Sequence, residues 1–191
     1  MKEYYIKNMV CQRCIQAVQN ELSKQGILAE EISLGFVKTS LPLTFILKAE
    51  LASGLLELGF ELLDDVKAEN VEKIKKVIIE KIHHSGPLDI KMNWSSLIAS
   101  ACKQDYKQLS QLFSGVEGLT LEQYIIRQKV EKIKELLFYD EMNINEISYL
   151  LDYSSVQHLS AQFKKITGQT PSQFKAGKLR HSARKSLDKV S

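Results

Sequence analysis

Two stretches in the second half of the sequence share one layout and lie about 50 residues apart. Each has a short segment with helical apolar spacing, a tight turn, and a second helix with a Leu-x-x-x-Phe core. The stretches are Leu97 to Phe113 and Ile147 to Phe163, and one long helix from Thr120 to Tyr139 joins them. A short helix packed across a second one is a helix-turn-helix, which projects its second helix into the major groove of DNA. The pattern favours two DNA-reading units, and its alternative is an ordinary helical bundle.

The second stretch resembles the DNA-binding signature of the AraC/XylS family. That signature places an Ile-Ala pair, a Gly-Tyr turn, a Phe-Lys pair and then Gly-x-x-Pro-x-x-Tyr-Arg. The matching residues are Ile147-Ser148, Asp152-Tyr153, Phe163-Lys164 and Gly168-Gln169-Thr170-Pro171-Ser172-Gln173-Phe174-Lys175. Ser148, Asp152 and Phe174-Lys175 depart from the signature, but Asp tolerates a left-handed turn better than most residues. The resemblance covers residues 88–177 and implies an all-α double helix-turn-helix domain that binds double-stranded DNA.

The resemblance also implies roles for individual side chains. It assigns base reading to Lys107, Ser110 and Gln111 in the first unit and to Val156, Gln157, Ser160 and Ala161 in the second. Gln can pair with adenine, Lys can reach guanine, and Val or Ala can touch a thymine methyl group. Because the family often has a long polar side chain at the position of Ala161, the second unit is expected to be the weaker reader. Contacts to DNA phosphates fix the position of a protein on the duplex without selecting a base sequence. Such contacts are expected from Arg127, Lys164, Lys165 and Lys175.

The first 66 residues follow a different pattern. A strand-like segment at Tyr4-Tyr5-Ile6 precedes a helix that Gly26 ends, and two β-prone segments flank Gly35. A Leu-rich helix from Leu43 to Leu58 and a short strand at 60–63 follow. The order strand, helix, one or two strands, helix, strand predicts a small α+β module of ferredoxin-like type.

A Cys-x-x-Cys pair, Cys11 and Cys14, lies between the first strand and the first helix. At a helix N-terminus the helix dipole favours thiolates, and Arg13 adds a nearby positive charge. Two thiolates can hold a soft metal ion such as Cu(I) or Zn(II), or they can form a disulfide. Cys102 lies on a face expected to point inward, so it is expected to be a core thiol.

The segment around this pair resembles the heavy-metal-associated domain, whose motif is Met-x-Cys-x-x-Cys after the first strand. Here the motif is Met9-Val10-Cys11-Gln12-Arg13-Cys14, with Asn8 in place of the usual Gly. The stretch 58–61 resembles the place where that fold sets an aromatic side chain, here Phe60, beside the metal loop. Three interpretations of the pair stay open, namely metal sensing, thiol redox sensing and a structural relic.

Between the two halves, residues 69–84 read as one helix with Val71, Ile74, Ile78 and Ile82 on a single stripe. An isolated helix must bury such a stripe. It can pack on the α+β module of residues 1–66, called the front module below, or on the same helix of a second copy in a dimer. We therefore expect a homodimer through the front module and this helix. His83-His84 at its end reads either as a third metal ligand or as a favourable charge at a helix C-terminus.

Composition excludes several classes of protein. The 191 residues are 44% hydrophobic and 26% charged, which is typical of a globular chain. There is no run of about 18 uncharged apolar residues, no secretory leader and no disulfide scaffold, so no membrane contact and a cytoplasmic location are expected. Net charge is −3 over residues 1–66, +2 over 67–86 and +4 over 87–191. The positive net charge of residues 87–191 suggests a polyanionic partner. The alternative explanation for this charge is a solvated basic tail.

The sequence as a whole predicts four segments: a heavy-metal-associated-like sensor module at 1–66, a connecting helix at 67–86, an AraC-type DNA-binding domain at 87–177 and a basic tail at 178–191. The predicted function is sequence-specific transcription regulation modulated at the cysteines. The alternatives are a metal-binding chaperone-like protein, or a regulator without a small effector whose front module only dimerises. RNA polymerase is a further expected partner. No catalytic constellation is present, and the thioredoxin pattern of a thiol oxidoreductase is missing, so the chain is predicted not to be an enzyme.

Overall fold

The structure is a computed structural model that describes residues 2–88, 93–140 and 142–177. The chain divides into two compact units. One comprises Met1–Lys75 and Ser95–Leu121, and the other comprises Lys76–Trp94 and Glu122–Ser191. The predicted basic tail, residues 178–191, lies outside the described residues.

The first unit contains a four-stranded antiparallel sheet. Its strands are β1 (Lys2–Lys7), β2 (Ala29–Ser33), β3 (Phe36–Thr39) and β4 (Glu61–Leu62), in the order β2-β3-β1-β4. Helix α1 (Gln12–Lys24) follows β1, and helix α2 (Phe45–Glu57) follows β3. The small α+β module predicted from the sequence is therefore present.

Local signals in the sequence set the bounds of these elements. Gly35 has a φ of 89°, which lets the chain turn tightly between β2 and β3. The Thr44 side chain accepts a hydrogen bond from the Leu47 N–H and so begins α2, and Gly59, with a φ of 84°, follows its end.

The apolar faces of α1, α2 and the sheet form one core. Its fully buried members include Ile6, Met9, Val18, Leu22, Val37, Leu51 and Leu55. Burial of each such side chain contributes about 1.5–3 kcal/mol to the hydrophobic free energy of folding. Met9 is 1% exposed, so its thioether belongs to this core even though it precedes the cysteines by two residues.

Helix α3 (Asp65–Ile79) begins four residues before the predicted start, because the Asp64 side chain accepts a hydrogen bond of 2.8 Å from the Lys67 N–H. It continues into a π-helical turn, Glu80–His84. The apolar stripe of this helix is already buried within one chain, with 0% exposure at Val71, Ile74 and Ile78 and 3% at Ile82. The expectation that this stripe needs a second copy is therefore wrong, since packing within the single chain covers it.

Six further elements make up the rest of the described chain. They are α4 (Trp94–Cys102), α5 (Tyr106–Glu117), α6 (Leu121–Tyr139), α7 (Ile144–Leu150), α8 (Val156–Thr167) and a last helix, α9, at 171–177. The helical spacing of Leu159, Phe163 and Ile166 predicts that all three point inward, but Ile166 is 43% exposed in the last turn of α8. Among the described residues, no helix combines the length and apolarity that a bilayer crossing needs.

Truncation of the α3 stripe tests its place in the core. Ile74→Ala removes a side chain with 0% exposure, so it should lower the free energy of unfolding by about 2–5 kcal/mol. Lys76→Ala on the same helix, where the side chain is 73% exposed, should change it by less than about 0.5 kcal/mol. Urea unfolding monitored by circular dichroism measures both, and equal effects of the two changes would contradict the burial of the stripe.

Candidate nucleic-acid interface

The first helix-turn-helix consists of α4, a turn at 103–105 and α5. Lys103 has a φ of 53°, in the left-handed region, and reverses the chain after α4. Asp105 then begins α5, because its Oδ1 accepts a hydrogen bond of 3.2 Å from the Gln108 N–H. Leu109 and Phe113 are fully buried and hold α5 in place. Cys102 is buried as expected, and burial raises the pKa of its thiol.

The second helix-turn-helix consists of α7, a turn and α8. Asn143 and Glu146 form a capping box at the start of α7. Asp152 has a φ of 52°, so the residue that replaces the signature's Gly keeps the left-handed turn. Ser155 begins α8 by accepting a hydrogen bond of 3.1 Å from the His158 N–H, and Phe163 is fully buried.

The two units repeat with an offset of 50 residues. The N-cap residues are Asp105 and Ser155, the buried aromatic residues are Phe113 and Phe163, and the glycines after the second helices are Gly118 and Gly168. Both glycines lie in the left-handed region, with φ values of 68° and 78°. The turns differ, because the left-handed residue comes two positions before the N-cap in the first unit and three before it in the second. The common frame places Gln111 and Ala161 at equivalent positions.

Tyr153 anchors the turn of the second unit. Its hydroxyl donates a hydrogen bond of 2.6 Å to the Gln162 Oε1, and burial raises the pKa of the phenol. The Lys129 Nζ lies 5.1 Å from the centre of the Tyr153 ring and donates a hydrogen bond of 2.7 Å to the Leu151 carbonyl. Burial lowers the pKa of Lys129. This cation satisfies a carbonyl at the end of α7, where the helix dipole favours positive charge.

The proposed base-reading side chains are accessible to different degrees. Lys107 and Gln111 on α5 and Gln157 and Ala161 on α8 are exposed, whereas Ser110, Val156 and Ser160 are half-buried. Two further polar side chains, Gln108 and His158, are exposed on the same first turns of α5 and α8. The sequence analysis missed them, although each follows an N-cap residue by three positions and so lies in the first turn of its helix.

The basic residues expected to contact phosphates differ in their surroundings. Arg127, Lys164 and Lys165 are exposed, and in the described part of the chain none of them has an ion-pair partner. Lys175 forms an ion pair with Asp140, so a phosphate must compete with this carboxylate for it. Residues 153–177 contain three lysines and no acidic residue, so α8 and the segment that follows it carry a positive net charge.

The cysteine pair of the front module lies at the start of α1. Cys11 is the exposed N-cap residue, Cys14 is half-buried, and their Sγ atoms are 3.5 Å apart. Hydrogen bonding with the backbone, that of Val10 first, lowers the pKa of the Cys14 thiol. Cys14 also packs against the core to which Phe60 belongs. Over residues 2–88, 93–140 and 142–177, no group of three or more His, Cys, Asp or Glu is arranged to hold a metal ion.

His83, considered above as a third ligand, contacts other side chains. Its Nε2 lies 3.1 Å from the Gln128 Oε1, and its Nδ1 lies 3.6 Å from the Glu135 Oε2. Both ring nitrogens therefore face side chains of α6. The structure gives His83 a role in packing the end of the α3 segment.

Comparison with known proteins identifies the class of this domain. The family model described as a helix-turn-helix domain matches residues 98–177. A solved structure of a transcriptional regulator with an AraC-type DNA-binding domain, from Chromobacterium violaceum, has the same fold. It superposes with a TM-score of 0.50 and 19% identity over 60% of this chain and 96% of that one. The helix-turn-helix domain expected from the sequence is confirmed for this part of the chain, and its fold is similar to that of this AraC-type DNA-binding domain.

Two curated relatives are similar to part of the chain. One is the bifunctional transcriptional activator/DNA repair enzyme AdaA of Bacillus subtilis (strain 168), 28% identical over 41% of this chain and 37% of the relative. The other is the xylose operon regulatory protein of Escherichia coli (strain K12), 34% identical over 35% of this chain and 17% of the relative. The chain spans less than half the length of these curated relatives.

The left-handed turn of the first unit leads to a stability prediction. Lys103→Gly should raise the free energy of unfolding by about 0.5–1 kcal/mol, because glycine adopts a φ of 53° without the strain of a Cβ atom. Arg127→Gly, within α6, should lower it by about 1 kcal/mol. Thermal unfolding of both variants measures the difference, and destabilisation by Lys103→Gly would contradict the assigned backbone conformation.

Proposed function

We propose that the chain is a sequence-specific DNA-binding regulator of transcription that reads DNA with α5 and α8. The observation that carries this proposal is the repeated helix-turn-helix, in which each second helix is capped, anchored by a buried Phe and left with exposed polar side chains. Two such units suit two successive segments of major groove. The RNA polymerase contact, the homodimer and the cytoplasmic location expected from the sequence stay predictions.

In this proposal, one set of residues contacts DNA bases and another set contacts DNA phosphates. Gln111 and Gln157 can each form two hydrogen bonds to the edge of an adenine, and Lys107 can reach a guanine. Ala161 offers only a methyl group where Gln111 offers an amide, which supports a smaller share of specificity for α8. Lys164, Lys165 and Arg127 would neutralise phosphates and so supply affinity that depends on salt.

Two substitutions separate these roles. Gln111→Ala should weaken binding to a selected duplex by about 1–3 kcal/mol and leave binding to random duplex unchanged, because it removes a base contact. Lys165→Ala should weaken both duplexes alike and reduce the slope of log K against log salt by about 1. Fluorescence anisotropy at several salt concentrations measures both, with Gln16→Ala on the exposed side of α1 as the control. Equal losses on selected and random duplex for Gln111→Ala would remove the base-reading role.

We propose further that the front module is a ferredoxin-like, heavy-metal-associated-type module that senses a metal or redox signal at Cys11 and Cys14. The element order and the strand order β2-β3-β1-β4 support the ferredoxin-like assignment. Two accessible sulfur atoms 3.5 Å apart form a donor set that suits Cu(I) or Zn(II) and are also close enough to form a disulfide after a small rotation. Bound there, a soft metal would supply positive charge at the start of α1. The Cys11 backbone carbonyl already accepts the Cys14 N–H at 3.0 Å, so the two side chains project from one turn.

The sensing proposal predicts a change in DNA binding that depends on both cysteines. Addition of Cu(I) or Zn(II) should change affinity for the selected duplex by about 5- to 150-fold, the range of a realistic coupling free energy. Cys11→Ser and Cys14→Ser should abolish the change, and Cys102→Ala, which removes a buried thiol, should not. A response to oxidant in metal-free buffer, lost in the same variants, would identify a redox signal instead. If neither metal nor oxidant changes binding, the pair is a structural relic.

A further inference from the structure

The front module holds one end of the first reading helix. The Asn8 N–H, just after β1, donates a hydrogen bond of 2.9 Å to the Gly115 carbonyl in the last turn of α5. On α3, which follows the front module, the Lys75 Nζ lies 2.6 Å from a carboxylate oxygen of Glu117, and both side chains are largely buried, at 25% and 19% exposure. All of these residues belong to the first compact unit. The end of α5 is therefore part of the same packed body as the sheet.

Two glycines make this close approach possible. A Cβ atom on Gly35, at the turn between β2 and β3, would collide with the backbone oxygen of Val116. A Cβ atom on Gly115 would lie 2.8 Å from the Lys7 Cε, in a space that the lysine stem already occupies. Backbone at the hairpin turn thus packs directly on backbone at the end of α5. A contact of this kind cannot be relieved by a change of side-chain rotamer.

Asn8 connects this contact to the cysteine loop. It has a φ of 73°, and its Nδ2 donates a hydrogen bond of 3.2 Å to the Gly59 carbonyl, next to Phe60. The residue after it, Met9, is anchored in the core, and Cys11 follows two positions later. One residue therefore contacts α5 with its main chain and the turn after α2 with its side chain, three positions before the first cysteine.

The contact leaves the reading surface of α5 open. It involves residues 115–117, whereas Lys107 and Gln111 are exposed in the first half of the helix. The front module therefore does not block the groove-facing side of α5. What it can set is the position of the helix end, and a small displacement there moves the reading side chains relative to DNA.

We propose that the front module is the positioning element of the first reading helix, with Gly35 and Asn8 as its positioning residues. Base reading by Gln111 then depends on the front module, whereas base reading by Gln157 on α8 does not. This proposal rests on the DNA-reading function proposed above. It also assigns a direction to any signal at Cys11 and Cys14, which would reach DNA through Asn8 and α5.

A matched pair of glycine substitutions tests the contact itself. Gly35→Ala and Gly26→Ala both place a Cβ atom at a positive φ, 89° and 66°, so both carry backbone strain. Only Gly35→Ala adds a collision with α5, since nothing lies within 4 Å of a Cβ atom on Gly26. Amide hydrogen exchange of the intact variants should be about tenfold faster in α5 for Gly35→Ala alone, with α8 unchanged in both. Unchanged exchange in α5, or equal changes in both variants, would overturn the proposal.

DNA binding provides the second readout. Wild-type protein first selects a duplex from a random library, and Gln111→Ala and Gln157→Ala then assign the base pairs that each helix reads. Gly35→Ala should lose about tenfold in discrimination at the base pairs assigned to Gln111 and retain discrimination at those assigned to Gln157. Gly26→Ala should retain both. Equal loss at both sets of base pairs would show a general destabilisation and would overturn the proposal.

A second, less disruptive variant tests the same contact in case Gly35→Ala fails to fold. Lys75→Met removes the ion pair with Glu117 without adding bulk, and it should reduce discrimination at the same base pairs by a smaller factor. If the library yields no duplex preferred over random DNA, the proposed function fails, and the hydrogen-exchange comparison still decides whether the front module holds α5. No effect of either Gly35→Ala or Lys75→Met on α5 would mean that the contact has no positioning role.

Discussion

The requirement that every backbone polar group at a helix end finds a partner determines which side chains α5 and α8 expose. Asp105 and Ser155 accept the first free N–H groups of α5 and α8, and left-handed glycines at 118 and 168 end the same helices. Because both ends are set, the helical period alone decides which side chains face out. Phe113 and Phe163 point inward, and the residues two positions before each of them, Gln111 and Ala161, are left exposed.

The two reading units use this common frame differently. The first has an amide at Gln111, and the end of its second helix contacts the front module. The second has a methyl group at Ala161 and a turn fixed by Tyr153 and Lys129, and its Lys164 and Lys165 have no ion-pair partner among the described residues. The proposed function therefore divides specificity and electrostatic affinity between the units. In that proposal, a change of reading at one unit would leave the other unit bound to DNA.

Much of this arrangement follows from local rules that the sequence displays directly. N-cap residues, glycines after helices and apolar residues at helical spacing predict α5, α6, α7 and α8, and the alternation around Gly35 predicts the β2–β3 hairpin. The start of α3 was missed, because its capping residue Asp64 lies before the apolar stripe begins. The exposed residues Gln108 and His158 were missed as well, since polar residues in a first helical turn carry no periodic signal.

The sequence by itself determined the helix-turn-helix repeat, its capping and the Cys-x-x-Cys at a helix N-terminus, because each depends on neighbours within a few residues. Only the tertiary structure decided where the α3 stripe is buried, and it assigned that stripe to the interior of one chain. It also decided that α4 and α5 pack with the sheet, in one compact unit with residues 1–75. Contacts such as Asn8 to Gly115 join backbone groups more than 100 residues apart, and backbone groups are the same in every residue. No pattern of side chains can therefore predict them.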